Sequence, residues 1–427
     1  MTTTTFSKFP IINPGRVKQQ MLSWIDQFHT ACLLDSNHYN LSYRRFECIA
    51  AAGSADATVV HRGANLESLE KFLQDKTGWF FGHLAYDLKN EIEALNSAHP
   101  DNIGFDDLHF FIPSVILRLS ENSLEINSAT QPAAEIFDAI LSTPLPGSKQ
   151  TGGIQFTAKF SREEYIETVE KLREHIRRGD CYEINFCQEF FAEAIAIDPV
   201  STYLSLSENS PNPFAGFYKQ GEKFLLCASP ERYLKKEKNS ILTQPIKGTS
   251  PRAGDRLEDE ANRERLFRSS KDRSENVMVV DLVRSDLAKI AEEGSVVVEE
   301  LYGVYSFPHV HQMISTIKGI VKEGTKFTDI IRATFPMGSM TGAPKKKVME
   351  LIEKYERTRR GLFSGAIGYI SDEGDFDFNV VIRSILYNRQ TGYLSYQVGS
   401  GITFYSDPEQ EYEECLLKAA AIKKVLA

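Results

Sequence analysis

Two stretches of the chain space carboxylates as helix neighbours. Asp272 and Glu275 are three apart within a pattern that predicts a helix over 271–293. Glu411 and Glu414 repeat the spacing within a helix predicted over 407–426, with Lys418 one turn past Glu414. Residues three apart share a helix face. Four carboxylates facing one another would suit a hard, oxygen-seeking ion that keeps several waters, namely Mg²⁺ held together with an anionic substrate. The same spacing also describes solvated acidic faces, with Glu414 and Lys418 an ordinary surface pair.

Other segments carry different chemistry. Pro245-Ile246-Lys247-Gly248-Thr249 sets a lysine between a proline and a glycine. A buried lysine loses its proton readily and becomes a nucleophile, whereas a lysine in an open turn stays solvated. Gly338-Ser339-Met340-Thr341-Gly342-Ala343-Pro344-Lys345 reads as a helix start, with Pro344 in the first turn. Its small residues would let backbone N–H groups converge on an anion, or simply cap the helix. It is not a P-loop, because the G-x-x-x-x-G-K-[ST] spacing is absent. Gln397-Val398-Gly399-Ser400-Gly401 reads as a strand ending in a G-x-G turn, which could offer N–H groups to a carboxylate. Arg383 lies in the apolar run 380–386, read as a strand. An arginine there needs a partner, and a substrate carboxylate would pair with it through two hydrogen bonds.

The elements that must position these groups alternate along the chain. Tyr165, Val169, Leu172 and Ile176 recur at helical spacing over 162–178, and Gly179 stops the run. Strands are predicted over 181–191, 217–228, 295–301, 365–370, 380–387 and 393–398, mostly with hairpin-like connections. Upstream, 78–87 and 110–119 read as strands, with Pro113 placing the second at an edge or bulge. The class is α+β, and a large antiparallel core is expected. Breakers clustered over 128–153 place a boundary near Thr151, giving a region 1–150 and a region 151–427.

Composition excludes other roles. The 427 residues carry a net charge of −9 with no Lys/Arg stripe, which argues against nucleic acid and anionic membrane as partners. No apolar run approaches the ~18 residues of a spanning helix, and the N-terminus lacks a signal core. The six cysteines form no C-x-x-C pair, as expected of free thiols in a reducing compartment. A cytoplasmic enzyme is the expectation.

In order, these segments resemble the chorismate-utilising enzymes, which include the anthranilate and isochorismate synthases. The resemblance spans about residues 155–425. It rests on Gly179-Asp180-Cys181-Tyr182, Ser229-Pro230-Glu231, residues 245–249, the run KDRSENVMVVDLVRSDL from Lys271, residues 338–345, 365–369, Ile382-Arg383, 399–402 and 407–418. The region 82–87 is similar to the G-Y-L-x-Y-D stretch of the amino-transferring members, so region 1–150 is expected to be their N-terminal region. A sandwich-like antiparallel core with surrounding helices is the fold implied. The branch that aminates chorismate for folate synthesis carries P-I-K-G-T, while anthranilate synthases carry alanine at the lysine. Lys247 therefore implies a covalent path: its amine attacks the ring, the C4 hydroxyl leaves, and ammonia then displaces the lysine. Isochorismate synthases place a lysine base where this chain has Glu183.

By the same resemblance, Glu275 and Glu414 match direct Mg²⁺ ligands, and Asp272 and Glu411 match an outer pair acting through water. Arg383, Gly399 and Gly401 are expected to hold the enolpyruvyl carboxylate, with Thr249, Ser339, Thr341, Tyr369 and Lys418 lining the pocket. The family histidine that assists hydroxyl departure is Gln312 here, which can hydrogen-bond but not protonate. His311 is adjacent and expected to face the other way. Tyr405 stands where relatives often carry aspartate. Leu33-Leu34-Asp35-Ser36 is similar to a segment of the tryptophan-feedback pocket in anthranilate synthases, and core packing is the simpler reading. No G-x-C-x-G elbow is present, so a separate glutamine amidotransferase is the expected ammonia source.

Overall fold

The computed structural model describes residues 4–39, 43, 45–58, 63–147, 153–308 and 310–426. The expected boundary at Thr151 lies outside these residues. Strands from both sides of it join one system, since Thr30–Asp35 pairs with Phe214–Gln220 and Phe80–Leu84 with Ala366–Ile370.

The described ladders are all antiparallel, and they form two runs that diverge at the strand Leu108–Leu119. One run passes through Cys48–Ala57, Thr30–Asp35, Phe214–Gln220, Lys223–Ser229, Ser384–Asn388 and Tyr393–Ile402 to Glu183–Ala192. The other leaves through Phe80–Leu84, Ala366–Ile370, Phe376–Asn379, Arg232–Glu237 and Ser240–Gln244 to Val310–Ile320. That last strand also carries Ile246–Pro251 and Val297–Ser306. The ladder opposite Pro113 shifts register between Ser54 and Asp56, as expected for a residue that cannot donate.

Alternation along each strand builds the layers. Ala31 and Leu33 join a core beneath the helices Pro14–Ile25, Arg162–Arg177 and Pro199–Asn209. Cys32, between them, joins a second core shared with Phe81, Ile367 and Phe378 of the other run. The helix Ser270–Ala288 buries Val279, Val280, Val283 and Leu287 in this second core. The result is the α+β, sandwich-like arrangement expected from the sequence.

Several boundaries differ from expectation for identifiable reasons. The span 217–228 is a hairpin, Phe214–Gln220 and Lys223–Ser229, turned at Gly221 with φ 61°. The terminal helix is two, Pro408–Lys418 and Ala420–Leu426, which part at Ala419. The expected strand 380–387 begins only at Ser384, because Arg383 adopts φ 51°. Helix Arg162–Arg177 matches, with Ser161 and Glu164 forming a reciprocal cap.

One buried cation ties the elements around the future site. Arg360, 2% exposed, donates to the carbonyls of Met340 and Asn185 and pairs with Glu356, whose carboxylate also accepts from the Cys187 amide. Removing one member of such a pair strands a charge in the core. Arg360→Ala is therefore expected to lower unfolding stability by about 3–5 kcal/mol in denaturant titrations.

Candidate active site

The site is built around Lys247. Its strand, Ile246–Pro251, shifts register against Val310–Ile320 between Ile246 and Thr249, a bulge of the kind that re-aims a side chain. Gly248 makes the bulge possible: φ is 86°, and a Cβ there would lie 2.9 Å from Asp272 Oδ1. The Lys247 side chain is buried and its ammonium donates to the Glu183 carboxylate. Burial alone would lower the lysine pKa. The opposing fields of Glu183, Glu275 and Glu231 outweigh it and push the group upward, so Lys247 rests as an ammonium.

Three carboxylates act on this ammonium from separate elements, Glu183 by contact and the others by their fields. Glu183 opens the strand Glu183–Ala192 and is 2% exposed. Glu231 follows Lys223–Ser229 and is also buried. Burial raises its carboxyl to about 7, against the pull of Ser339, Lys247 and Arg383. Glu275 projects from helix Ser270–Ala288, and burial raises it to about 8, opposed by Lys247 and Lys271.

Gly401 lets the backbone come this close. A Cβ there would sit 3.0 Å from both Glu183 Oε1 and Lys247 Nζ. Gly399 and Gly401 do not form a turn: both lie inside the strand Tyr393–Ile402, opposite Cys187 and Asn185. Their spacing leaves space for the neighbouring strand and the ion pair, which also explains the G-x-G pattern. Lys418 does not stand free either. It donates to the Gly399 carbonyl at 2.9 Å and pairs with Glu414 at 2.8 Å, so it braces the strand.

The other acidic helix approaches the first. Lys271 Nζ lies 3.1 Å from Glu411 Oε1 and 3.9 Å from Glu275 Oε1. Glu414 is lowered first by Lys418, then by Lys271 and Lys247. Asp272 lies against Gly248. The four predicted carboxylates therefore surround one region. Among the described residues no three acidic, histidine or cysteine side chains are gathered tightly enough to hold a metal as they stand. Glu275 Oε1 and Glu411 Oε2, however, are buried oxygens without a hydrogen-bond partner. Orphaned hard donors on two helices fit a Mg²⁺ ion that keeps waters and shares an anionic ligand.

Arg383 is not within a strand. It occupies a bend with φ 51°, a conformation that costs a non-glycine residue roughly 1–2 kcal/mol. Burial lowers its guanidinium to about 10, opposed by the charge of Glu231. Among the described residues it has no ion-pair partner, which leaves its fork available to an anion. Gln312 is fully buried with both amide atoms unpartnered, and faces Thr249 across the ladder. His311 turns away as expected, to Asp259 and Ser306.

Further expectations change. Tyr369 does not line this site: it stacks on Trp79 and lines a separate cavity with Leu34, Asp35, Arg232 and Asp377. Its strand turns Gly368 and Tyr369 to opposite faces, and the tyrosine takes the aromatic side. Thr341 caps its own turn, donating to the Met337 carbonyl, and the N–H groups of Met340 and Thr341 are used within that turn. The segment docks on Glu183–Ala192 through Asn185, which donates to Ser339 O and Thr341 O, and so forms no anion cradle. Pro344 is the cap of helix Lys345–Tyr355 rather than its first residue. Conversely, the sequence assigned no catalytic part to Glu183 or Glu231. The available signal was a carboxylate at the start of each buried apolar segment.

A model described as chorismate binding enzyme matches residues 30–424. Anthranilate synthase component 1 of Thermus thermophilus is 36% identical over 360 residues, 82% of this chain and 77% of that protein. Aminodeoxychorismate synthase component 1 of Klebsiella aerogenes is 33% identical over 384 residues, 89% of this chain and 84% of that protein. The crystal structure of anthranilate synthase component I from Streptococcus pneumoniae superposes with a TM-score of 0.77 at 26% identity, covering 90% of this chain and 93% of that one.

The carboxylate cluster generates a direct test. Saturating Mg²⁺ at ~10 times its Kd should raise the melting temperature by about 2 °C in differential scanning fluorimetry. Glu411→Gln should remove that shift while folding normally.

Proposed function

The chain belongs to the chorismate binding enzyme family, and from that premise we propose that it aminates chorismate at C4. The product is 4-amino-4-deoxychorismate, the precursor for para-aminobenzoate and folate synthesis. The Klebsiella aerogenes relative is named aminodeoxychorismate synthase component 1. The observation that carries the reading is the buried Lys247 amine at the centre of the site, where the resemblance gives anthranilate synthases alanine.

Lys247 acts as nucleophile: its nitrogen bonds to the ring and the C4–O bond breaks. Ammonia then takes C4 and releases the lysine. Splitting one substitution into two gives each step a better nucleophile or leaving group. Arg383 holds a substrate carboxylate with its unpaired fork, and Thr249 and Ser339 border the same space. Gln312 steadies the departing hydroxyl through a hydrogen bond. Glu231, with a carboxyl near 7, supplies the proton that Gln312 cannot. Glu275 and Glu414, with Asp272 and Glu411 behind them, would hold Mg²⁺, which would supply positive charge beside a substrate carboxylate. Ammonia comes from a separate glutamine amidotransferase, a partner suited to a chain resembling proteins named component 1. The reaction is assigned to the cytoplasm. No helix among the described residues is long and apolar enough to cross a membrane.

Incubating the purified chain with chorismate, Mg²⁺ and ammonium tests the reading by product mass. The expected product retains the enolpyruvyl group with NH₂ in place of OH. Anthranilate with pyruvate, the reading suggested by the Thermus thermophilus relative, would overturn it. Intact-protein mass should show a substrate adduct that Lys247→Ala cannot form.

The acid role has its own signature. Glu231 must be protonated to act, so turnover should be present below about pH 7 and fall as pH rises through it. Glu231→Gln should lower kcat by roughly 10²–10⁴-fold and remove that alkaline limb.

A further inference from the structure

Lys247 is positioned to attack, yet it rests as an ammonium, and an ammonium has no lone pair. A proton must therefore leave Nζ before the carbon–nitrogen bond forms. The atom that already accepts from Nζ is a carboxylate oxygen of Glu183. That side chain is 3% exposed, so bulk water is not the obvious acceptor. Glu231 and Glu275 act on Lys247 only through their fields, without a hydrogen bond to it. Gly401 keeps the Glu183–Lys247 contact free of a Cβ.

We propose that Glu183 is a catalytic base and proton store for Lys247, taking the Nζ proton as the amine attacks and returning it when the lysine departs. The proposal rests on the nucleophilic role of Lys247 argued above.

The proton balance closes over both halves. In the first, Glu183 takes one proton from the Lys247 ammonium, Nζ bonds to the ring carbon, and the C4–O bond breaks. The leaving oxygen takes the Glu231 proton and departs as water. The adduct is then a secondary ammonium, with Glu183 neutral and Glu231 ionised. In the second half ammonia bonds to C4 and the carbon–Nζ bond breaks. The freed amine recovers its proton from Glu183, and the new C4 ammonium gives one to Glu231. The net change is chorismate plus ammonia to aminated product plus water, with every protein group restored.

This assignment gives Glu183 a different task from the lysine that water-activating relatives carry at its position. A base that serves the nucleophile itself must sit in contact with the amine, as Glu183 does.

The test uses the full chain with chorismate and Mg²⁺, and reads Lys247 adduct formation by rapid-quench intact mass. Glu183→Gln keeps the size and a hydrogen-bonding oxygen but cannot take a proton. It is expected to slow adduct formation by roughly 100-fold or more, with chorismate affinity within a few-fold of wild type. Glu183→Ala should be equally slow and partly rescued by added formate, which a purely structural role would not permit. Adduct formation in Glu183→Gln at the wild-type rate or faster would overturn the base role alone. A wild-type chain that forms no Lys247 adduct would overturn both this role and the nucleophile on which it rests. Should Glu183→Gln fail to fold, Glu183→Ala with and without formate decides, since absence of rescue in a folded variant counts against the proposal.

Discussion

A lysine ammonium held out of water dictates much of what surrounds it. Removing such a charge from solvent is costly unless opposite charge and hydrogen bonds meet it. Here Glu183 meets it directly, and Glu231 and Glu275 supply field from two further elements. Those carboxylates are themselves buried, so each depends on the lysine as much as the lysine depends on them. Burial, only partly offset by the neighbouring cations, leaves Glu231 at about 7 and Glu275 at about 8. The cluster is thus poised between charge states near neutrality, a useful condition for moving protons and for receiving a cation.

Such a cluster needs a backbone that comes unusually close and stays there. Gly401 and Gly248 remove the Cβ atoms that would occupy the space of the Lys247–Glu183 pair and of Asp272. Arg360 fixes the strand bearing Glu183 by gripping the Asn185 carbonyl, and fixes the loop bearing Ser339 by gripping the Met340 carbonyl. The two strand runs then bring Glu183, Lys247 and Gly401 together although they are far apart in the chain. Sheet register determines the site as directly as side-chain identity does.

The same dependence explains what could be read from sequence. Helix Arg162–Arg177 was legible because its period and its cap are local. The acidic pairs were legible because residues three apart share a face in any helix. Arg383 was misplaced into a strand because a run of β-branched neighbours gives no warning of a left-handed residue. Gly399 and Gly401 looked like a turn because the sequence does not show what lies across the strand. Tyr369 went to the wrong side of its strand for the same reason, since alternation fixes opposite faces without saying which one meets substrate. Glu183 stood out locally only as a carboxylate opening a buried apolar strand, and its role exists only through contact with a residue 64 positions away.

Lys271 shows how this acidic site is neutralised by the chain itself. Its ammonium lies within 4 Å of Glu275 and Glu411, where positive charge is most needed, while its side chain remains 42% exposed. Lys271 is the solvent-facing member of both pairs, whereas Glu275 and Glu411 are buried, so those carboxylates depend on a positive charge at this position. Lys418, by contrast, is bound to a backbone carbonyl as well as to Glu414, and moving it would disturb the strand it supports. The two lysines therefore have different parts in one acidic cluster. Lys418 holds the architecture, and Lys271 neutralises the charge of Glu275 and Glu411. The net charge of −9 says nothing of this, because the electrostatics that matter lie in buried oxygens paired with lysines.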